Sequence, residues 1–191
     1  MAIAAANLTT AGDTSNANSY TTASISPGAN RLIVADVLNT DTATPNTPTL
    51  AGNGLTWGQV ATVLFVSIAS PTYRLTRFRA MGASPTAGAV TITATSSTGC
   101  LWSINEFDGV DTGGTNGSAA VVQTATNRTD SAASLTVTLA AFGDAANNAA
   151  VGAFGTDSIS APIVPGAGFT ELGQITMISP VTAVQTEWKV G

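Results

Sequence analysis

The chain has 191 residues, of which 44% are hydrophobic and only 9% charged, with a net charge of −5 and one lysine, Lys189. That length suits one large β domain with a real core. The charge pattern excludes a basic footprint for nucleic acid and a polybasic or amphipathic membrane segment. Thr, Ala, Gly, Asn and Ser stand where charge would usually stand; Thr favours pleated strands, and Gly, Asn and Ser favour turns.

Residues 1–18 are small and polar with little periodicity, and read as an N-terminal arm or a loosely held first strand. The opening Met1–Asn7 has no basic n-region and no long apolar stretch, so neither a signal peptide nor a membrane span is expected. Strands are predicted over Tyr20–Ile25, closed by Ser26-Pro27-Gly28, and over Arg31–Leu38. A polar loop, 39–48, precedes Leu50–Trp57, which holds the tight-turn signal Gly52-Asn53-Gly54. Gln59–Ile68 is an apolar run broken by Ser70-Pro71, and Tyr73–Met81 follows.

Val90–Thr95 alternates cleanly, and Cys100–Phe107 puts Cys100, Trp102 and Ile104 on one face. After a glycine-rich loop at 108–118, strands are predicted at Ala119–Thr126 and, beyond a turn at Asn127–Asp130, at Ser134–Leu139, with Leu135, Val137 and Leu139 facing in. Asn147-Asn148 marks a turn before Ala149–Phe154, and 162–168 is a loop. Phe169–Ile178 and Val181–Trp188 form a last hairpin around Ser179-Pro180. Short strands at this spacing, with no helical period, repeat or composition break, predict an all-β, antiparallel two-sheet β-sandwich, jelly-roll-like. The domain layout is an arm or first strand at 1–18 and a single sandwich domain at 19–191.

Candidate chemistry is sparse. There is no histidine, which removes the usual general base and the commonest metal ligand. Glu106 and Asp108, two apart at a strand end, could act as a glycosidase carboxylate pair with Glu171 or Glu187, but polar residues also gather where a strand leaves a sheet. The run Asp108–Gly117 offers oxygen ligands without the spacing of an EF-hand and reads as a turn. Cys100 lies in an apolar pattern and reads as a buried thiol. The Asn-X-Ser/Thr triplets at Asn7, Asn116 and Asn127 matter only in a secretory pathway. No cofactor and no metal is expected.

Two binding readings are sharper. Arg74, Arg77 and Arg79 are the basic cluster, with Arg77 and Arg79 on one strand face and Arg74 on the other; they form a candidate docking stripe for an acidic partner, against the alternative of a solvated or edge-protecting strand. Of Trp57, Trp102 and Trp188, Trp57 lies beside a loop and is the candidate glycan contact, with core packing as the default for all three.

Five stretches, Gly52-Asn-Gly-Leu-Thr-Trp57, Leu75-Thr-Arg-Phe-Arg-Ala-Met81-Gly, Trp102-Ser-Ile-Asn-Glu-Phe-Asp-Gly-Val-Asp111, Gly168-Phe-Thr-Glu-Leu172 and Gln185-Thr-Glu-Trp188, resemble in order and spacing a β-sandwich domain of tailed-phage virion proteins. The resemblance implies a virion structural protein on the outer capsid surface. In that reading the chain is a capsid decoration (cement) protein, or a head or tail fibre domain, that binds the major capsid protein as a homo-oligomer, a trimer being favoured, with no enzyme activity. The alternative is a carbohydrate-binding sandwich module of a fibre or secreted protein. Similar domains run on into one or two further apolar strands, so either the sequence is truncated or the sheet is open at its C-terminal end, with residues 1–18 or a neighbour's strand expected to complete it.

Overall fold

The computed structural model describes residues 2–66, 72–129 and 132–191. The antiparallel all-β sandwich expected from the sequence is what forms. Its strands are β1 (Ala4–Asp13), β2 (Ser19–Thr21), β3 (Leu32–Asp41), β4 (Thr49–Gly52), β5 (Gly58–Val66), β6 (Thr72–Ala80), β7 (Val90–Thr93), β8 (Gly99–Asp108), β9 (Ala149–Thr156), β10 (Thr170–Ile178) and β11 (Val181–Val190). They build a five-stranded central sheet in the order β1-β8-β3-β6-β5, a C-terminal sheet β10-β11-β9 and a small sheet β2-β7-β4.

The central sheet lies between the other two, and its sequence reflects that position. β3 and β8 are buried along nearly their whole length; β3 opens as an apolar run, and β8 mixes apolar with polar residues over Trp102–Asp108. Ile33, Ala35 and Val37 of β3 join Cys100, Trp102 and Ile104 of β8 in a core with Tyr20, Val90 and Ile92 of the small sheet. Neighbouring positions point the other way. Leu38 and Leu101 cluster with Met177 and Val184, while Leu32, Val34 and Phe107 cluster with Val151 and Trp188. Ring packing of Phe107 on Trp188 is edge-on at 6.3 Å.

Between those two apolar clusters runs a polar belt. Ser103 Oγ and Thr186 Oγ1 share a hydrogen bond of 2.8 Å across the sheets, Asn105 Nδ2 donates to both, and Asn7 Nδ2 donates to Asn105 Oδ1 at 2.8 Å. Buried polar groups that are mutually satisfied cost little and admit only one sliding position of sheet on sheet. Glycine allows the close approach beside the belt: a Cβ on Gly173 would meet the side chain of Thr10, and one on Gly155 would meet Leu38 and Phe65.

Several boundaries differ from the expectation. β3 runs on to Asp41, into the predicted loop, because Asn39 and Thr40 are buried in pairing with β6 and β8. The Tyr20–Ile25 strand is cut to three residues, with Ile25 held only by an isolated bridge to Gly88. The end of the Gln59–Ile68 strand and its Ser70-Pro71 break lie outside the described residues, as does Asp130 of the predicted Asn127–Asp130 turn. The Gly52-Asn53-Gly54 turn forms as read, with φ of 139°, 58° and 64°.

Of the two readings of residues 1–18, arm or first strand, the strand is the one that forms: β1 pairs with β8 of its own chain from Ala4↔Asp108 to Asp13↔Cys100. One correction concerns sheet completion: the C-terminal strand is not an open edge, since β11 lies in the middle of its sheet and the edges are β10 and β9. The expected strands Ala119–Thr126 and Ser134–Leu139 join none of the three sheets.

Candidate functional site

The C-terminal sheet has three strands opposite the five of the central sheet, and the mismatch leaves a cavity of about 1200 Å³ beside β9. Val63, Phe65 and Leu75 of β5 and β6 contribute to its floor, Val151 and Ala153 of β9 to one wall, and residues of the segments 119–129 and 132–139 to its cover.

Arg77 and Asp36 also line this space. Asp36 is fully buried on β3, and Arg77 grips it with a two-pronged contact, Nε to Oδ1 at 2.7 Å and Nη2 to Oδ2 at 3.0 Å. The fork geometry of guanidinium on carboxylate makes this the strongest type of charge-assisted pair. Arg77 Nη1 also donates to the carbonyl of Val151 at 2.6 Å, so one side chain ties β3, β6 and β9 together. Asp36 was not singled out in the sequence, although a lone acid inside the apolar run Leu32–Leu38 is the signal that would have found it.

The predicted arginine stripe does not come together as one surface. Arg77 is engaged inside the fold. Arg74 donates from Nε to the Pro45 carbonyl at 2.8 Å and from Nη1 to Thr62 Oγ1 at 3.1 Å, which fixes it against the 42–48 loop. Arg79 is half-buried, and its Nε is enclosed without a hydrogen-bond partner among the described residues. Trp57 is half-buried against the core shared by the central and small sheets, with its indole nitrogen enclosed. Trp102 lies in the core, as its alternation with Cys100 and Ile104 implied.

Glu106 and Asp108 meet a cation rather than each other. Glu106 Oε1 accepts from Arg31 Nη1 at 2.5 Å, its Oε2 accepts from the Gly28 amide at 2.5 Å, and Arg31 Nη2 lies 3.5 Å from Asp108 Oδ2. Hydrogen bonding to Glu106, then the charges of both acids, holds the exposed Arg31 guanidinium above its ordinary pKa. The trio pins the 26–31 turn to the end of β8, a structural use of carboxylates.

The Asp108–Gly117 loop is a turn, with Asp108 and Asp111 accepting from the amides of Gly109 and Gly113 and positive φ at Gly109, Gly114, Asn116 and Gly117. Among the described residues no group of three or more His, Cys, Asp or Glu is placed to hold a metal. Burial pushes the Cys100 thiol far up, so the reactive thiolate is suppressed.

At the far end of the C-terminal sheet, the β10–β11 hairpin turns through Ser179-Pro180 and carries Ile178 and Val181, paired with each other and 78% and 39% exposed. Tyr73 braces it, its hydroxyl donating to the Val181 carbonyl at 2.9 Å. Beside it is a hollow of about 260 Å³ lined by residues that include Gly12, Leu101 and Met177. No protein-family model, curated protein or solved structure matches the chain.

Proposed function

We propose that this chain is a structural subunit that docks on a larger assembly, in its most specific form a decoration protein on the outer surface of a phage capsid, bound to the major capsid protein. The observation that carries the docking reading is the apolar tip formed by Ile178 and Val181 on a braced hairpin. An exposed apolar group on a chain with only 9% charged residues suits a desolvated interface core. The phage assignment comes from the sequence resemblance.

The tip and the hollow adjoin, with Ile178 forming part of the hollow's lining. A projecting apolar group beside a hollow suits head-to-tail contacts, which form rings such as a trimer when the rotation closes. A subunit that binds the assembled lattice and not its parts stabilises the lattice by mass action. Apolar contacts of this kind depend little on salt.

The test is cryo-electron microscopy of purified particles together with a binding assay on undecorated shells. The expected result is density for the chain on the shell, with occupancy lost on Ile178→Asp while circular dichroism is unchanged. A chain found only free in solution would remove the reading. Deleting residues 2–13 is a poor assay, because it strips β1 from the central sheet of its own chain.

A further inference from the structure

We infer that the segments 121–129 and 132–140 pair as two antiparallel strands that dock on the free edge of β9, extending the C-terminal sheet to five strands opposite the five-stranded central sheet. Four observations carry this. First, the two segments already run antiparallel. Gln123 exchanges two amide bonds with the backbone of Ala140, its Nε2 donating to the carbonyl and its Oε1 accepting the N–H, both at 3.0 Å. Asn127 Nδ2 donates to the carbonyl of Thr136 at 2.8 Å. Four residues forward on one segment match four residues back on the other, the constant register of a hairpin.

Second, exposure alternates residue by residue: Leu135, Val137 and Leu139 are half-buried and line the cavity, while Thr136, Thr138 and Ala140 face out. That is the period of a strand on a sheet with one covered face. Third, β9 ends its sheet, and the chain enters β9 directly from this segment. The link is short and tied, with Asn148 Nδ2 donating to the carbonyl of Asp144 and a single 3-10 turn at Ala145–Asn147. Docking with the apolar positions inward also restricts the register: Leu135, Val137 and Leu139 must lie across from the inward positions Val151, Ala153 and Gly155 or the next inward residue along β9.

Fourth, the first segment already touches the opposite sheet edge: Arg128 Nη1 donates to the carbonyl of Leu64 on β5 at 3.2 Å. Docking would cover Val63, Phe65 and Leu75 and would pair an edge that otherwise offers a template to any passing strand.

Hydrogen exchange on the unmodified chain tests this. Amides within 134–140 and on the outer edge of β9 are expected to exchange about 100-fold or more slowly than free peptide, independent of protein concentration. Exchange at free-peptide rates would overturn the inference. So would protection that appears only as a dimer forms, which would mean that the strand comes from a second copy. A second arm uses charge placed on either face. Val137→Asp is expected to abolish the protection and to raise fluorescence of an apolar dye, while Thr136→Asp leaves both unchanged. Equal effects of the two, or dye and fatty acid binding by the unmodified chain, would show the cavity to be open and the docked hairpin wrong.

Discussion

Two regions of this molecule use the same kinds of residue to opposite effect. In the first, β3 and β8 lie in the middle of the central sheet with partners on both edges and covers on both faces, and scarcely a side chain reaches solvent. In the second, β9 is half-buried along its whole length, pairs among the described strands with β11 alone, and faces a cavity. Both are rich in apolar residues. What separates them is the number of neighbours each strand acquires, a tertiary property that composition does not carry. Rigidity should therefore concentrate in the β3–β8 half, and tolerance of substitution in the β9 half.

The comparison can be broken most severely at Trp102. Truncation to Ala is expected to cost about 3–5 kcal/mol, read from urea unfolding. Cys100 supplies a second readout, because its buried, suppressed thiol should label only when the domain opens, and labelling should accelerate in step with the lost stability. Asp36→Asn should follow at about 3 kcal/mol, because it leaves the Arg77 guanidinium enclosed without its counter-charge; matching loss in an Arg77→Met, Asp36→Asn double variant would argue against that origin. Glu106→Gln should cost about 1.5–2 kcal/mol by weakening the bonds from Gly28 and Arg31.

On the loose side, Leu139→Ala should cost only about 1 kcal/mol, since the side chain is half-exposed; a loss equal to that of Trp102→Ala would erase the difference between the halves. The smallest effect is at Asp13, where hydrogen bonds from the Ser15 hydroxyl and amide hold the carboxyl below its ordinary pKa. A lowered folded value means that the stabilisation is present above the unfolded pKa of about 3.9 and disappears as pH falls through the folded one. Asp13→Asn should thus change stability by no more than about 0.5 kcal/mol at pH 7, and the difference should vanish in strong acid.

Much of this was legible in advance, and the exceptions have physical reasons. Alternation located β7 and the inward face of β8, and Gly52-Asn53-Gly54 located its turn, because those signals are local. β3 ran past its predicted end because buried pairing on both sides overrode the turn preference of Asn39. The arginines were visible as a cluster, but their partners lie far away in sequence: Asp36 and Val151 for Arg77, Pro45 for Arg74. A pattern read along one strand cannot show which of its charges are already paired. Trp57 likewise looked loop-adjacent in sequence and turned out to lean on the core.

The register of β1 on β8, with Ala4 across from Asp108, has a consequence for how the chain is made. Synthesis proceeds from the N-terminus at about 5–20 residues per second, so β1 waits roughly 5–20 s and β3 roughly 3–13 s before β8, the strand that joins them, follows. During that interval two apolar edges have no native partner, and the slow step is a closure across more than half the chain rather than any local event. A nascent chain whose first 108 residues have left the ribosome holds every strand of the central sheet, and is the shortest that could close it.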